Sequence, residues 1–250
     1  MDISLHYIEK GNGPALILLH GNGEDGTYFK NQIEYFSDRY RMLAVDTRGH
    51  GQTPRGTAPF TMEQFSRDLN EWMIGLNLSK AILLGFSDGA NIAMKFALQY
   101  PDKVGALILN GGNLNAKGVK YTVQLPIEIG YQIAKRFAGK SEEAKHHMEL
   151  LGLMVNEPNI KPKALHSIHV PTLVIAGTRD MIKRVHTEEI ANNIPNAKLS
   201  IIKGNHFIAN KSPERFNKEV ELFLNENRTR IRIDRRDSFC SNIAKGTCCS

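Results

Sequence analysis

Six short apolar runs with helical patterns between them constrain this chain more than any other feature: Ala15 to Leu19, Arg41 to Val45, Ala81 to Phe86, Val104 to Leu109, Thr172 to Ala176 and Leu199 to Ile202. A strand that is apolar at nearly every position has to be covered on both faces, as happens in a parallel sheet flanked by helices. The intervening segments carry the other period. Phe65, Leu69, Trp72 and Leu76 recur at spacings of four, three and four, and Ile92, Phe96 and Gln99 mark one face of a second helix. The alternation predicts an α/β fold, with a mostly parallel central sheet of about seven to eight strands and helices on both faces.

The rhythm begins irregularly and breaks once. Ile3 to Ile8 alternates poorly, and Gly11-Asn12-Gly13 before the run at Ala15 predicts a hairpin, with an antiparallel strand at the sheet edge. From Asn113 to Ile168 the strands stop and two helices are expected, about Gln124 to Phe137 and Ser141 to Val155. The flanking runs continue the sheet. The predicted organisation is therefore a core of residues 1–112 and 169–227, a small helical lid insertion over 113–168 and a poorly packed tail over 228–250.

Charge and cysteine content narrow the function classes. The net charge is +6, but residues 228–250 hold six basic and two acidic side chains, which leaves the body nearly neutral. No body element shows a basic stripe interleaved with aromatics, so nucleic acid is not an expected partner. All three cysteines, Cys240, Cys248 and Cys249, lie in the same tail, and the core has no disulfide framework. No apolar run approaches the roughly 18 residues of a membrane span, and Met1-Asp2-Ile3-Ser4 lacks the pattern of a signal peptide. A cytoplasmic location without a membrane partner is expected.

Gly85-Phe86-Ser87-Asp88-Gly89 stands where one apolar run ends and a helical pattern begins, the context in which G-x-S-x-G marks an exposed nucleophile. A serine hydroxyl is a weak nucleophile at neutral pH. It needs a base to take its proton and a third group to fix the tautomer of that base. Two later loops offer these groups: Ala176-Gly177-Thr178-Arg179-Asp180 and Lys203-Gly204-Asn205-His206 each follow a predicted strand, at the edge where open parallel sheets place their sites. Ser87, Asp180 and His206 are the candidate catalytic residues.

With these motifs the chain resembles the α/β-hydrolase fold family over roughly residues 3 to 226. His20-Gly21-Asn22-Gly23 is similar to its oxyanion loop, and Asp46-Thr47-Arg48-Gly49-His50-Gly51-Gln52-Thr53 to its D-x-R-G-x-G-x-S/T segment. The resemblance implies a serine hydrolase that needs no cofactor or metal, with the backbone N–H groups of Asn22 and Asp88 holding the oxyanion. Where many relatives have a small or apolar residue after the nucleophile, this chain has Asp88. If its carboxylate faces the pocket it would favour an amine-bearing substrate; otherwise it serves the helix N-terminus. Tyr121, Leu125, Ile129 and Met148 of the insertion are the expected substrate contacts.

The expected reaction is cleavage of a small ester, lactone or amide through an acyl-Ser87 intermediate. The same triad can serve a C–C bond hydrolase or lyase, or persist in a ligand-binding or signalling protein. Gly21, Gly23 and Gly26 with Asp46 also match a dinucleotide-binding fingerprint, but an NAD-dependent oxidoreductase leaves His20, the elbow and both late loops without a purpose. His146 and His147 are neighbours on a predicted helix and cannot share a ligand. His166 and His169 are assigned to a solvated loop, and no metal motif is present.

Overall fold

The computed structural model describes residues 2–231. Seven strands make one sheet: β1 (Tyr7–Lys10), β2 (Ala15–Leu19), β3 (Arg41–Val45), β4 (Ala81–Phe86), β5 (Val104–Asn110), β6 (Thr172–Arg179) and β7 (Ala197–Asn205). Their spatial order is β1-β3-β2-β4-β5-β6-β7, and every pairing is parallel except that of β1 with β3. β2 to β5 are buried almost throughout, because helices lie on both faces. The helices are α1 (Lys30–Phe36), α2 (Met62–Gly75), α3 (Asp88–Gln99), α4 (Tyr121–Phe137), α5 (Glu142–Asn156), α6 (Arg184–Asn193), α7 (Ile208–Lys211) and α8 (Pro213–Glu226).

The period-2 alternation of side chains divides the core into two clusters, one on each face of the sheet. Ile17, Leu19, Leu43 and Leu83 point to the face covered by α2 and α3, where Phe65, Trp72 and Phe96 pack. Leu16, Leu18, Met42 and Ile82 point to the face covered by α1 and α8, against Phe36, Phe216 and Phe223. Ile231 packs partly on this second cluster, and the rest of the expected tail, with its three cysteines, lies outside the described residues.

The expected hairpin is a correction. β1 is the antiparallel edge strand, but its partner is β3, which stands between β1 and β2. Gly11 and Gly13 serve a different need: at φ +85 and +119 they carry the chain across the end of α1, where a Cβ on Gly11 would lie 2.1 Å from the Ser37 carbonyl oxygen. The two helices expected between residues 113 and 168 are present as α4 and α5, and the chain then rejoins the sheet at β6. Among the described residues no helix is long and apolar enough to cross a membrane.

Candidate active site

Ser87 alone separates β4 from α3, and its backbone sits at φ 53, ψ −117. A left-handed φ on a non-glycine residue costs about 1–3 kcal/mol and persists only where its surroundings over-determine it. Those surroundings are visible. Ser87 N–H donates to the Asn110 carbonyl at the end of β5 (2.8 Å), and the Ser87 carbonyl accepts from Ala90 and Asn91 N–H at 2.9 and 3.2 Å. The flanking glycines leave no room for a side chain: a Cβ on Gly89 would lie 2.0 Å from the Leu19 carbonyl oxygen, and one on Gly85 2.3 Å from that of Gly89. The turn thus holds the serine at the C-terminal edge of the sheet.

Asp180 and His206 come together in the loops after β6 and β7. His206 Nδ1 and Asp180 Oδ1 are 2.7 Å apart, and both side chains are almost fully buried. The Asp180 carboxylate also accepts from Ile182 N–H (2.9 Å) and, at 3.5 Å, from Gly177 N–H. Burial pushes this carboxyl up, but the hydrogen bond and attraction of His206, with the two N–H groups, outweigh it and hold it below the ordinary range. With Nδ1–H donated to Asp180, Nε2 is left as an acceptor, and it is buried without a hydrogen-bond partner. His206 packs between the elbow and the end of β5. Its ring lies 4.8 Å from that of Phe86, and Gly111, next to Asn110, approaches so closely that a Cβ there would meet the imidazole at 2.7 Å.

The loop after β2 faces the same edge. His20 fixes its course as a neutral imidazole, donating from Nδ1 to the Gly21 carbonyl (2.7 Å) and accepting at Nε2 from Thr47 N–H (3.1 Å). Burial first of all lowers the pKa of this histidine. Asp88, as the first residue of α3, has an N–H without an intrahelical acceptor, as an oxyanion donor requires. Its side chain, 9% exposed, accepts from Asn22 Nδ2 at 2.9 Å. Burial raises the Asp88 carboxyl to about 6, against the pull of the Asn22 amide and of His206.

This raised value has a stability consequence. A carboxyl whose pKa is higher in the folded state stabilises fully below its unfolded pKa and loses that contribution as pH rises through about 6. Asp88→Asn is therefore expected to raise the melting temperature at pH 8 and to leave it unchanged near pH 4. A melting temperature lowered at pH 8 would contradict the assignment of Asp88 as a buried carboxylate whose ionisation the fold disfavours.

Contacts from α5 reach this loop. Asn22 Nδ2 donates also to the Leu150 carbonyl (3.0 Å), and one residue away Arg55 holds Glu149 in a two-pronged ion pair with both bonds at 2.7 Å. Of the expected substrate contacts, Leu125 and Met148 are half-buried, whereas Tyr121 and Ile129 stand 69% and 53% exposed. Instead α4 turns Gln124 and Ala134 inward. His146 packs against Phe60 beside His50, while His147 is exposed. Asp46, the acid of the dinucleotide-like pattern, is used by its own chain: Oδ1 accepts from Gly26 N–H, and Oδ2 from Gln52 N–H and the His6 ring. Among the described residues no group of three or more His, Cys, Asp or Glu side chains is arranged for a metal ion.

Sequence reasoning missed Glu24, Gly111 and the double engagement of the Asn22 amide. Only Gly111 had a local signal, as the first of two glycines that follow the run Val104 to Leu109 after Asn110.

Comparison with known proteins agrees with the fold and with a hydrolase. Residues 14–125 match the family model described as alpha/beta hydrolase fold, and residues 73–217 match that of the serine hydrolase (FSH1) family. The 3-oxoadipate enol-lactonase 2 of Acinetobacter baylyi is 26% identical over 89% of this chain and 94% of its own. The mouse serine hydrolase BPHL is 27% identical over 89% of this chain and 83% of its own. A thermophilic esterase from Thermogutta terrifontis superposes with a TM-score of 0.75 at 24% identity, covering 92% of this chain and 95% of that one. The chain belongs to the serine hydrolase (FSH1) family within the α/β-hydrolase superfamily, and it is a hydrolytic enzyme.

Proposed function

We propose that the enzyme cleaves a small carboxylic ester or lactone, with amides as poorer substrates, through an acyl-Ser87 intermediate. The observation that carries this reading is the buried Asp180–His206 pair, which leaves Nε2 of the imidazole free of any hydrogen bond, Ser87 included, while the ring packs on Phe86 next to the strained Ser87. His206 Nε2 takes the Ser87 proton as Oγ attacks the carbonyl carbon, and the backbone N–H groups of Asn22 and Asp88 receive the oxyanion. The imidazolium returns its proton to the departing alkoxide. Water then attacks the acyl-enzyme with His206 again as base, which releases the acid and restores Ser87. Asp180 holds the imidazole in the required tautomer and balances its transient charge.

The segment 113–168 acts in this reading as a lid, with Leu125 and Met148 against the acyl or alcohol portion. Its link to Asn22 supports that role. The relative named as an enol-lactonase supports the ester and lactone class.

A fluorophosphonate probe is expected to label the wild type and not Ser87→Ala, and the wild type should hydrolyse short p-nitrophenyl esters. Equal labelling of both proteins would overturn the reading. An enzyme that is labelled but turns over none of a panel of esters and lactones would leave the nucleophile standing and remove the proposed substrate class.

A further inference from the structure

Glu24 takes no part in the triad, yet it stands in the oxyanion loop. Its Oε2 accepts from Gly21 N–H at 3.1 Å, and its own N–H donates to the Gly21 carbonyl at 3.2 Å. These two reciprocal bonds close the four-residue turn Gly21-Asn22-Gly23-Glu24 and fix the direction of the peptide that carries Asn22 N–H. The turn has no spare room. A Cβ on Gly21 would lie 3.0 Å from Glu24 Oε2 and 3.0 Å from the Phe86 ring, the same ring that packs on His206.

The charged and titratable groups that face Glu24 are few. His206 attracts it across the site, Asp25 repels it, and the Tyr28 hydroxyl is held close by the stacking of Tyr28 on Phe86. The Asp25 carboxylate is already used in capping Thr27, and no lysine or arginine pairs with Glu24 among the described residues. Of the two charged groups that act on this carboxylate, Asp25 repels it and His206 attracts it, so an imidazolium formed at His206 during acyl transfer would be favoured by it.

We propose that Glu24 is a positioning residue for this reaction: its carboxyl locks the turn that presents Asn22 N–H to the oxyanion, and its negative charge favours the imidazolium form of His206. Burial raises the Glu24 carboxyl to about 7, opposed by the Gly21 N–H and by His206. The locking bond survives protonation, because a neutral carboxyl oxygen still accepts. The charge appears only as pH rises through that value. The two contributions therefore separate with pH.

The inference rests on the acyl-Ser87 reading, and the experiment is chosen to fail separately from it. Glu24→Gln keeps the acceptor and removes the charge, whereas Glu24→Ala removes both. On a short p-nitrophenyl ester, kcat of Glu24→Gln is expected to match wild type at pH 6 and to fall about tenfold below it at pH 8.5, with KM within about twofold. Glu24→Ala loses the ordered donor and should fall about 100-fold at every pH. A purely structural role would give both variants a pH-independent ratio to wild type, and a flat Glu24→Gln ratio overturns the proposal.

A second measurement needs no turnover. In the Ser87→Ala background, hydrogen exchange at the Gly21 and Asn22 amides is expected to speed up when Glu24→Ala is added and to stay slow with Glu24→Gln. Unchanged exchange in Glu24→Ala would overturn the lock on the turn, whatever becomes of the acyl-Ser87 reading.

Discussion

Alanine at His206 is expected to lower kcat/KM on a short ester by about four orders of magnitude without unfolding the protein. The size follows from the absence of another base. Among the described histidines near the site, His20 has both nitrogens engaged with the backbone of Gly21 and Thr47, and burial first of all depresses the pKa of His50, to about 3. Neither can take the Ser87 proton. The proposed oxyanion donors, Asn22 and Asp88 N–H, are untouched by the change, so residual catalysis over water is expected. Asp180→Asn should come close to the same loss, because an amide at this position favours the imidazole tautomer whose Nε2 carries the proton. Stopped assays at pH 8, with far-UV circular dichroism as the folding control, measure both variants. A loss of less than tenfold for His206→Ala would remove the residue from the chemistry.

The second large effect concerns stability. Arg48→Met is expected to destabilise the fold by about 3–5 kcal/mol, the range for removing one partner of a buried ion pair. Arg48 is completely buried, and its guanidinium grips both oxygens of Asp68 at 2.7 and 2.8 Å while also holding Asp2 at 2.6 Å. Without it Asp68, 1% exposed, keeps among the described residues the Gln64 amide against its charge. Combining Arg48→Met with Asp68→Asn removes the orphaned charge and should restore a substantial part of the loss. Urea unfolding of the wild type, the single and the double variant gives the test. A single-variant cost below 1 kcal/mol would mean that the charge is compensated in another way.

The parts of this architecture that were legible in the sequence are those set by local rules. Buried strands need continuous apolar runs, and the elbow needs glycine at 85 and 89 because backbone lies where a side chain would go. The loops carrying Asp180 and His206 follow directly from the strands before them. What was not legible depends on pairs remote in the chain. The edge pairing of β1 with β3 is decided across 32 to 38 residues, and the local Gly-Asn-Gly signal pointed to the wrong neighbour because those glycines serve the passage over α1. Glu24 looked like an ordinary loop acid until its turn and the Phe86 ring gave it an environment. Tyr121 and Ile129 share the period of an apolar face, but the inward side of α4 is chosen by packing against α5, which periodicity does not report.

One carboxamide beside the nucleophile has two tenants. Asn22 gives Nδ2 hydrogens to the Leu150 carbonyl of α5 and to the Asp88 carboxylate, while the peptide of the same residue belongs to the oxyanion loop. A change of charge on Asp88 therefore acts on the same amide that anchors α5. The polarity next to Ser87 and the anchorage of α5 meet in one side chain.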